Sequence, residues 1–183
     1  MEKVTCSQKY EIKGVRSLNE NGPLSGSARF DAAAYAAGKR EMRPSITRSL
    51  SGLGKKVALL DLGAKKNIAA SLAQRGCDVT VYPALTSAEE ILSDHPDGIM
   101  LSNGPGDPKE CTSIIAEIRK IYESDVPIFA ICLGHQLMAL ATGADTHKMK
   151  DGHRGGNHPV KDLKTNRVYI SSQNHGYVVD TET

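Results

Sequence analysis

The spacing of apolar residues changes character near residue 56. Before it no period is sustained. Gly22-Pro23, Ser25-Gly26-Ser27, Arg43-Pro44 and Ser51-Gly52-Leu53-Gly54 interrupt the text, and only the Ala-rich stretch 29–40 would support a short helix. Residues 1–55 therefore read as a linker or poorly ordered N-terminal segment, and 56–183 as the domain. From Lys56 onward, short apolar runs alternate with amphipathic stretches. Runs at 57–61, 78–82, 98–101 and 127–131 have the length and continuity of strands buried on both faces. Between them, 66–75 (closed by Gly76), 87–93 (with Glu89 and Glu90 in its first turn) and 111–122 repeat at helical spacing. Strand and helix in alternation predict an α/β fold, a doubly wound and mostly parallel sheet whose ligands bind beyond the carboxyl ends of the strands. After Thr142-Gly143 the pattern loosens, with 145–149 and 167–171 as further strands, antiparallel to each other.

The most informative transition lies at Cys132. The run 128–131 is a strand, and from Gly134 the period becomes helical, with Leu133, Leu137, Met138 and Ala141 on one face. Ala130 and Gly134 flank the cysteine, small enough for a sharp strand-to-helix turn. This is the thiol form of a nucleophile elbow, in which a strained turn pushes one side chain out of the sheet. A helix N-terminus beside the sulfur favours negative charge and offers backbone N–H groups to an oxyanion. A cysteine ending an apolar strand is more often a small buried hydrophobe, so the catalytic reading depends on the rest of the chain.

Composition narrows the classes. A hydrophobic share of 39% and a charged share of 24% suit a globular domain with a substantial core. Residues 1–55 carry ten Lys/Arg against five Asp/Glu, and the remainder thirteen against sixteen. The basic leader comes with no basic helix or aromatic platform, and Trp is absent, so nucleic acid is not an expected partner. Cys6, Cys77, Cys111 and Cys132 form no metal-ligand spacing. No run approaches the roughly 20 apolar residues that span a bilayer, so neither a membrane nor secretion is expected and the cytoplasm is the default.

Two loops carry candidate chemistry. The third strand runs into Leu101-Ser-Asn-Gly-Pro-Gly-Asp-Pro108, where two glycines around a proline make a rigid turn that lets backbone approach a ligand. It lacks the GK[ST] of a phosphate loop. Asp151–Pro159 reads as a glycine-rich loop holding His153 and His158, five apart and without an evident third metal ligand. Ser171–Tyr177 reads as a polar run after a strand, in which Asn174 with Gly176 could grip an amide or an amino acid.

Five segments in order then carry a resemblance. LDLGAKKNI at 60–68, LSNGPGDP at 101–108, FAICLGHQLMAL at 129–140, GHRGGNHPVKD at 152–162 and SSQNHGYVVD at 171–180 resemble the class I, Cys-His-Glu glutamine amidotransferases. More closely, they resemble the glutaminase domain of the carbamoyl-phosphate synthase small chain, over about residues 56 to 183. The resemblance implies a flavodoxin-like fold and a glutaminase in which Cys132 attacks the glutamine carboxamide, forming a glutamyl thioester as ammonia leaves. It implies Leu133 and Gly104 as oxyanion N–H donors, and Gly104, Gly106, Leu133, Gln136, Asn174, Gly176 and Tyr177 as glutamine-binding residues. It further implies a large synthetase chain as partner, which holds the nucleotide sites, so that this chain needs no cofactor or metal. The product would feed arginine, pyrimidines or both.

Three features depart from the family. Ala130 stands where the family has Gly, and residues 1–55 do not resemble the family's first domain, so the sequence reads as truncated at both ends. The HPE motif that supplies the family's catalytic His and Glu does not occur; His158-Pro159-Val160 belongs to another segment. Losing a general acid/base costs typically about 10²–10⁴-fold. The alternative reading is therefore a catalytically impaired module that binds glutamine or docks on the synthetase. An amidotransferase for another acceptor, such as chorismate, fits less well because of HRGGNHPV.

Overall fold

The computed structural model describes residues 5–14 and 53–182. The expected alternation is present. Strands β1 (Tyr10–Ile12), β2 (Lys56–Asp61), β3 (Asp78–Pro83), β4 (Gly98–Leu101) and β5 (Ile128–Ala130) form one sheet in the order β1-β3-β2-β4-β5. β2 to β5 are parallel, and β1 joins β3 antiparallel. The intervening helices are α1 (Asn67–Gln74), α2 (Ala88–Ser93), α3 (Thr112–Tyr122) and α4 (Leu133–Ala141). Strand order reverses between β2 and β4. The loops leaving those two strands, 62–66 and 102–107, therefore flank the crevice where such sheets bind ligands.

The alternation along each strand sorts the core into two layers. Ala58, Leu60, Ile99 and Leu101 pack with Ile91 of α2, Ile114, Ile118 and Ile121 of α3, and Leu133 and Leu137 of α4. On the other face Leu59, Val79, Val81 and Met100 pack with Ile12 of β1 and Ala69 and Ala73 of α1. Each fully buried Leu or Ile contributes about 1.5–3 kcal/mol, so both layers hold the sheet. Phe129 is in register with Met100. It lies beyond the cover of α1, with 67% of its surface exposed.

The helix ends follow local chemistry. Ser87 caps α2 by accepting from the Glu90 N–H at 3.2 Å. A second cap comes from α3: the Ala88 N–H donates to Glu117 Oε2 at 2.7 Å, and Lys120 donates to Oε1. The Ala88 N–H first, and then Lys120, hold the Glu117 carboxyl below its ordinary value. Because the unfolded chain then binds the proton more readily, this contribution is present above the ordinary value of 4.5 and is lost as pH falls through the folded one. Glu117→Gln is expected to cost about 1 kcal/mol near neutrality. The gap from the parent should close in the most acidic urea titrations. A constant gap across pH would contradict this.

Two expectations about the ends of the chain are corrected. Residues 1–55 were expected outside the domain, yet 5–14 belong to it. The Thr5 hydroxyl donates to Asp61 O at 2.5 Å and accepts from the Ala84 N–H at 3.0 Å, while the Cys6 N–H donates to Asp61 Oδ2 at 2.8 Å. The helix expected at 29–40 lies outside the described residues. At the other end, the segments read as loops at 151–159 and 171–177 are interiors of long strands. β6 (Thr146–Lys161) and β7 (Val168–Val179) pair antiparallel as a separate two-stranded ribbon. Register shifts between Lys148 and His153 and between Gly155 and His158 absorb the Gly- and Asp-rich residues that look like loop. Among the described residues no helix is long and apolar enough to cross a membrane.

Candidate active site

The elbow is built by backbone bonds that continue the β4–β5 ladder past its end. The Ile131 N–H donates to Leu101 O at 3.0 Å, and the Gly134 N–H donates to Ser102 O at 3.1 Å. Between them Cys132 takes φ 51° and ψ −109°, a conformation that L-residues avoid and that costs about 1–3 kcal/mol. The turn is this sharp because α4 starts hard against β4. A Cβ on Gly134 would lie 2.6 Å from Leu101 O and 2.7 Å from Leu101 Cβ, so only glycine allows the approach. Ala130, where the family has Gly, is accommodated in β5, half-buried against the α3–α4 layer.

Cys132 is half-buried at the N-terminus of α4. The other cysteines differ. Cys77 and Cys111 are buried in the core. Desolvation is the main cause raising both of their thiols, while the Cys6 thiol is pushed up to about 11 by burial and then by Asp61. These three are held protonated near neutrality. Geometry thus selects the cysteine that the sequence selects.

Three polar groups at the ends of apolar strands tie the crevice loops together. Asp61 Oδ1 accepts from the Gly63 and Ala64 N–H groups at 3.0 and 2.7 Å, which curls the loop leaving β2. Ser102 is fully buried; its Oγ accepts from the Leu62 N–H at 2.9 Å and its hydroxyl donates to Asn103 O at 2.8 Å. Asn103 Oδ1 accepts from the Lys65 N–H at 3.1 Å. None of the three was singled out from sequence. Their signal was an Asp or Ser ending an otherwise apolar run, as in VALLD and IMLS. Ser102→Ala leaves the buried Leu62 N–H without its acceptor. It should cost about 2 kcal/mol, a fall in Tm of roughly 4–8 °C by calorimetry. An unchanged Tm would mean that another acceptor serves that N–H.

Around this frame the candidate residues assemble unevenly. Gly104 sits against both Leu62 and Leu133: its missing Cβ would lie 2.0 Å from Leu62 O and 2.8 Å from Leu133 Cδ2. The two proposed oxyanion donors therefore belong to adjoining segments. Gly106 has φ 106° and open space around it. Tyr177 connects three parts. Its carbonyl accepts from Gln136 Nε2 at 2.7 Å and from His175 Nδ1 at 2.9 Å, and its hydroxyl bonds Asp107 of the glycine-proline loop. Burial first, and then Asp107, push the phenol above its ordinary value. Gln136 thus ties β7 to the helix behind Cys132. Asn174 and Gly176 lie beside Tyr177 on β7, with Asn174 opposite Arg154 across the ribbon.

The histidines expected at 153 and 158 gain a neighbour. His153 Nδ1 lies 3.2 Å from His175 Nε2, and the His153 and His158 rings are 5.0 Å apart. The Tyr177 carbonyl can only accept, so His175 carries its proton on Nδ1 and donates. Among the described residues no group of His, Cys, Asp and Glu could hold a metal ion.

A strained cysteine elbow at the carboxyl edge of a flavodoxin-like sheet agrees with what comparison finds. Residues 58–183 match the family model described as glutamine amidotransferase class-I, and the chain belongs to that family. Its curated homologues are carbamoyl phosphate synthase small chains. It is 60% identical over 127 residues to the one from Salmonella typhimurium, covering 69% of this chain and 33% of that protein. It is 49% identical over 175 residues to the one from Bacillus caldolyticus, covering 94% of this chain and 47% of the relative. That second match takes in much of the segment before residue 56. The chain spans a third to about half the length of these relatives. Among solved structures, a putative GMP synthase protein from Thermoplasma acidophilum aligns with a TM-score of 0.60 at 24% identity, over 69% of this chain and 67% of that one. A glutamine amidotransferase from Thermotoga maritima aligns with a TM-score of 0.51 at 20% identity, over 69% and 62%. These two likenesses concern the fold.

Proposed function

We propose that this chain carries the glutamine-hydrolysing site of a carbamoyl-phosphate synthase small chain, with Cys132 as nucleophile. The observation that carries the reading is the elbow itself: a half-buried thiol in a strained turn at a helix N-terminus, beside the loop that holds Gly104. The Cys132 thiolate attacks the side-chain carbonyl carbon of L-glutamine, and the C=O electrons move onto oxygen. The N–H groups of Leu133 and Gly104 donate to that oxyanion, each worth roughly 3 kcal/mol in comparable sites. The neighbouring Gly134 N–H is already donated to Ser102 O. Collapse breaks the C–N bond as the nitrogen takes a proton and leaves as ammonia. Water then cleaves the glutamyl thioester to glutamate and restores the thiol.

Gly106, Asn174, Gly176 and Tyr177 would surround the amino-acid end of the substrate, with Gln136 holding Tyr177 in place. Ammonia would pass to a large synthetase chain, where bicarbonate and ATP complete carbamoyl phosphate; nucleotide chemistry falls to that partner and no cofactor to this chain. The test is mass spectrometry of the chain after incubation with an electrophilic glutamine analogue. One adduct on Cys132, suppressed by L-glutamine, is the expected result. A folded chain that takes no adduct would overturn the catalytic role and favour a binding or docking module instead.

A further inference from the structure

The β6–β7 ribbon is the least covered part of the described chain. Its base is tied to α4 through Gln136 and Tyr177. Its far half, towards the 162–167 connection, carries five exposed apolar side chains: Val160, Leu163, Val168, Tyr169 and Ile170. Val168, Tyr169 and Ile170 are consecutive in one strand, so they point alternately to both faces of the ribbon, and both are uncovered. Val160 is in register with Tyr169, and Pro159 with Ile170, so the apolar residues adjoin across the strands. A two-stranded ribbon with neither face packed is marginal in water, and a run of exposed apolar residues marks an interaction surface.

Charge says what kind of surface would fit. Residues 146–179 carry six Lys/Arg against two Asp. Lys161, Lys164 and Arg167 rim the apolar cluster. The nearby carboxylate, Asp162, is committed to the connection, accepting from the Lys164 N–H and from the Thr165 N–H and hydroxyl. The body from 53 to 145 has the opposite balance, eight Lys/Arg against twelve Asp/Glu. A second copy could offer that acidic body to the ribbon. Such a contact is head-to-tail, however, and leaves each copy with a free ribbon and a free body, so it propagates rather than closes.

We propose that the far half of the β6–β7 ribbon is the surface by which this chain docks on its synthetase partner, against an apolar patch rimmed by carboxylates. This rests on the partner named in the proposed function. Tyr177 and His175 at the base would then link docking to the residues beside Cys132 along one continuous ribbon.

The test is titration of the full chain with the isolated synthetase chain by calorimetry, at low and at raised salt. Three proteins are compared: the parent, Leu163→Ser with Ile170→Ser, and Lys164→Glu with Arg167→Glu. The apolar pair is expected to weaken binding about tenfold or more. The charge pair is expected to weaken it mainly at low salt, flattening the salt dependence. Melting curves and adduct formation at Cys132 should match the parent in both, because these side chains are exposed and remote from the elbow. Parent-like binding by both variants would overturn the ribbon surface while leaving the partner intact. No binding by the parent would remove the partner itself. A parent that self-associates through these residues without engaging the synthetase would assign the surface to a second copy.

Discussion

Cys132→Ala is expected to abolish covalent capture of an electrophilic glutamine analogue, and Cys132→Gly to abolish it equally while making the chain more stable. Both remove the sulfur. They differ in backbone, because Cys132 sits at φ 51° and ψ −109°, where any Cβ is strained. Alanine keeps the Cβ and the strain, so its melting temperature should stay close to the parent's. Glycine releases about 1–3 kcal/mol of strain and gives back about 0.5–1 kcal/mol through its greater unfolded freedom. The net gain over alanine is about 1 kcal/mol, read by urea titration. Retained capture in either variant would place the nucleophile elsewhere. A glycine variant no more stable than alanine would show that the turn is not under strain. The two outcomes are independent, so the chemical and conformational claims about one residue can fail separately.

Gly104→Ala is expected to be the most damaging single substitution in the crevice. The added Cβ would stand 2.0 Å from Leu62 O and 2.8 Å from the Leu62 carbonyl carbon, both backbone atoms of the neighbouring loop. That loop cannot yield freely. The Leu62 N–H is bonded to Ser102, and the Gly63 and Ala64 N–H groups to Asp61. The two loops would have to part, at a cost of about 3 kcal/mol. If the Gly104 N–H donates to the oxyanion, the rate of thioester formation should fall by roughly 10²–10³-fold as well. Gly106→Ala is the comparison. Nothing lies within 4 Å of its would-be Cβ, and only its φ of 106° resists a side chain, so about 1–2 kcal/mol is expected. Equal stability losses at the two glycines would show that the Gly104 contact relaxes cheaply.

Both predictions rest on residues that the sequence singles out, but for reasons that it shows only in part. The glycines of 101–108 are visible as a turn. That Gly104 is required because a backbone oxygen from forty residues earlier touches it is not visible. Cys132 stands out because a β-like run gives way to a helical period around it, which is a local signal. Ser102, Asn103 and Asp61 went unread because their importance lies in the N–H groups they accept from, and those belong to other segments.

The sequence by itself determined the order and type of the elements from β2 to α4 and the identity of the elbow cysteine. Those follow from apolar spacing within windows of ten residues and from small residues around one turn, and such forces act along the chain. Tertiary structure decided what depends on pairing between distant segments. Three residues, Tyr10–Ile12, become a strand only because β3 offers an open edge to them. Glycine- and histidine-rich segments that look like loops become β6 and β7 because each supplies the other's hydrogen bonds and bulges take up the misfit. Tyr177 reaches Gln136 and Asp107 for the same reason: a long-range ladder, without a periodic signature in either strand, sets where its carbonyl and hydroxyl point.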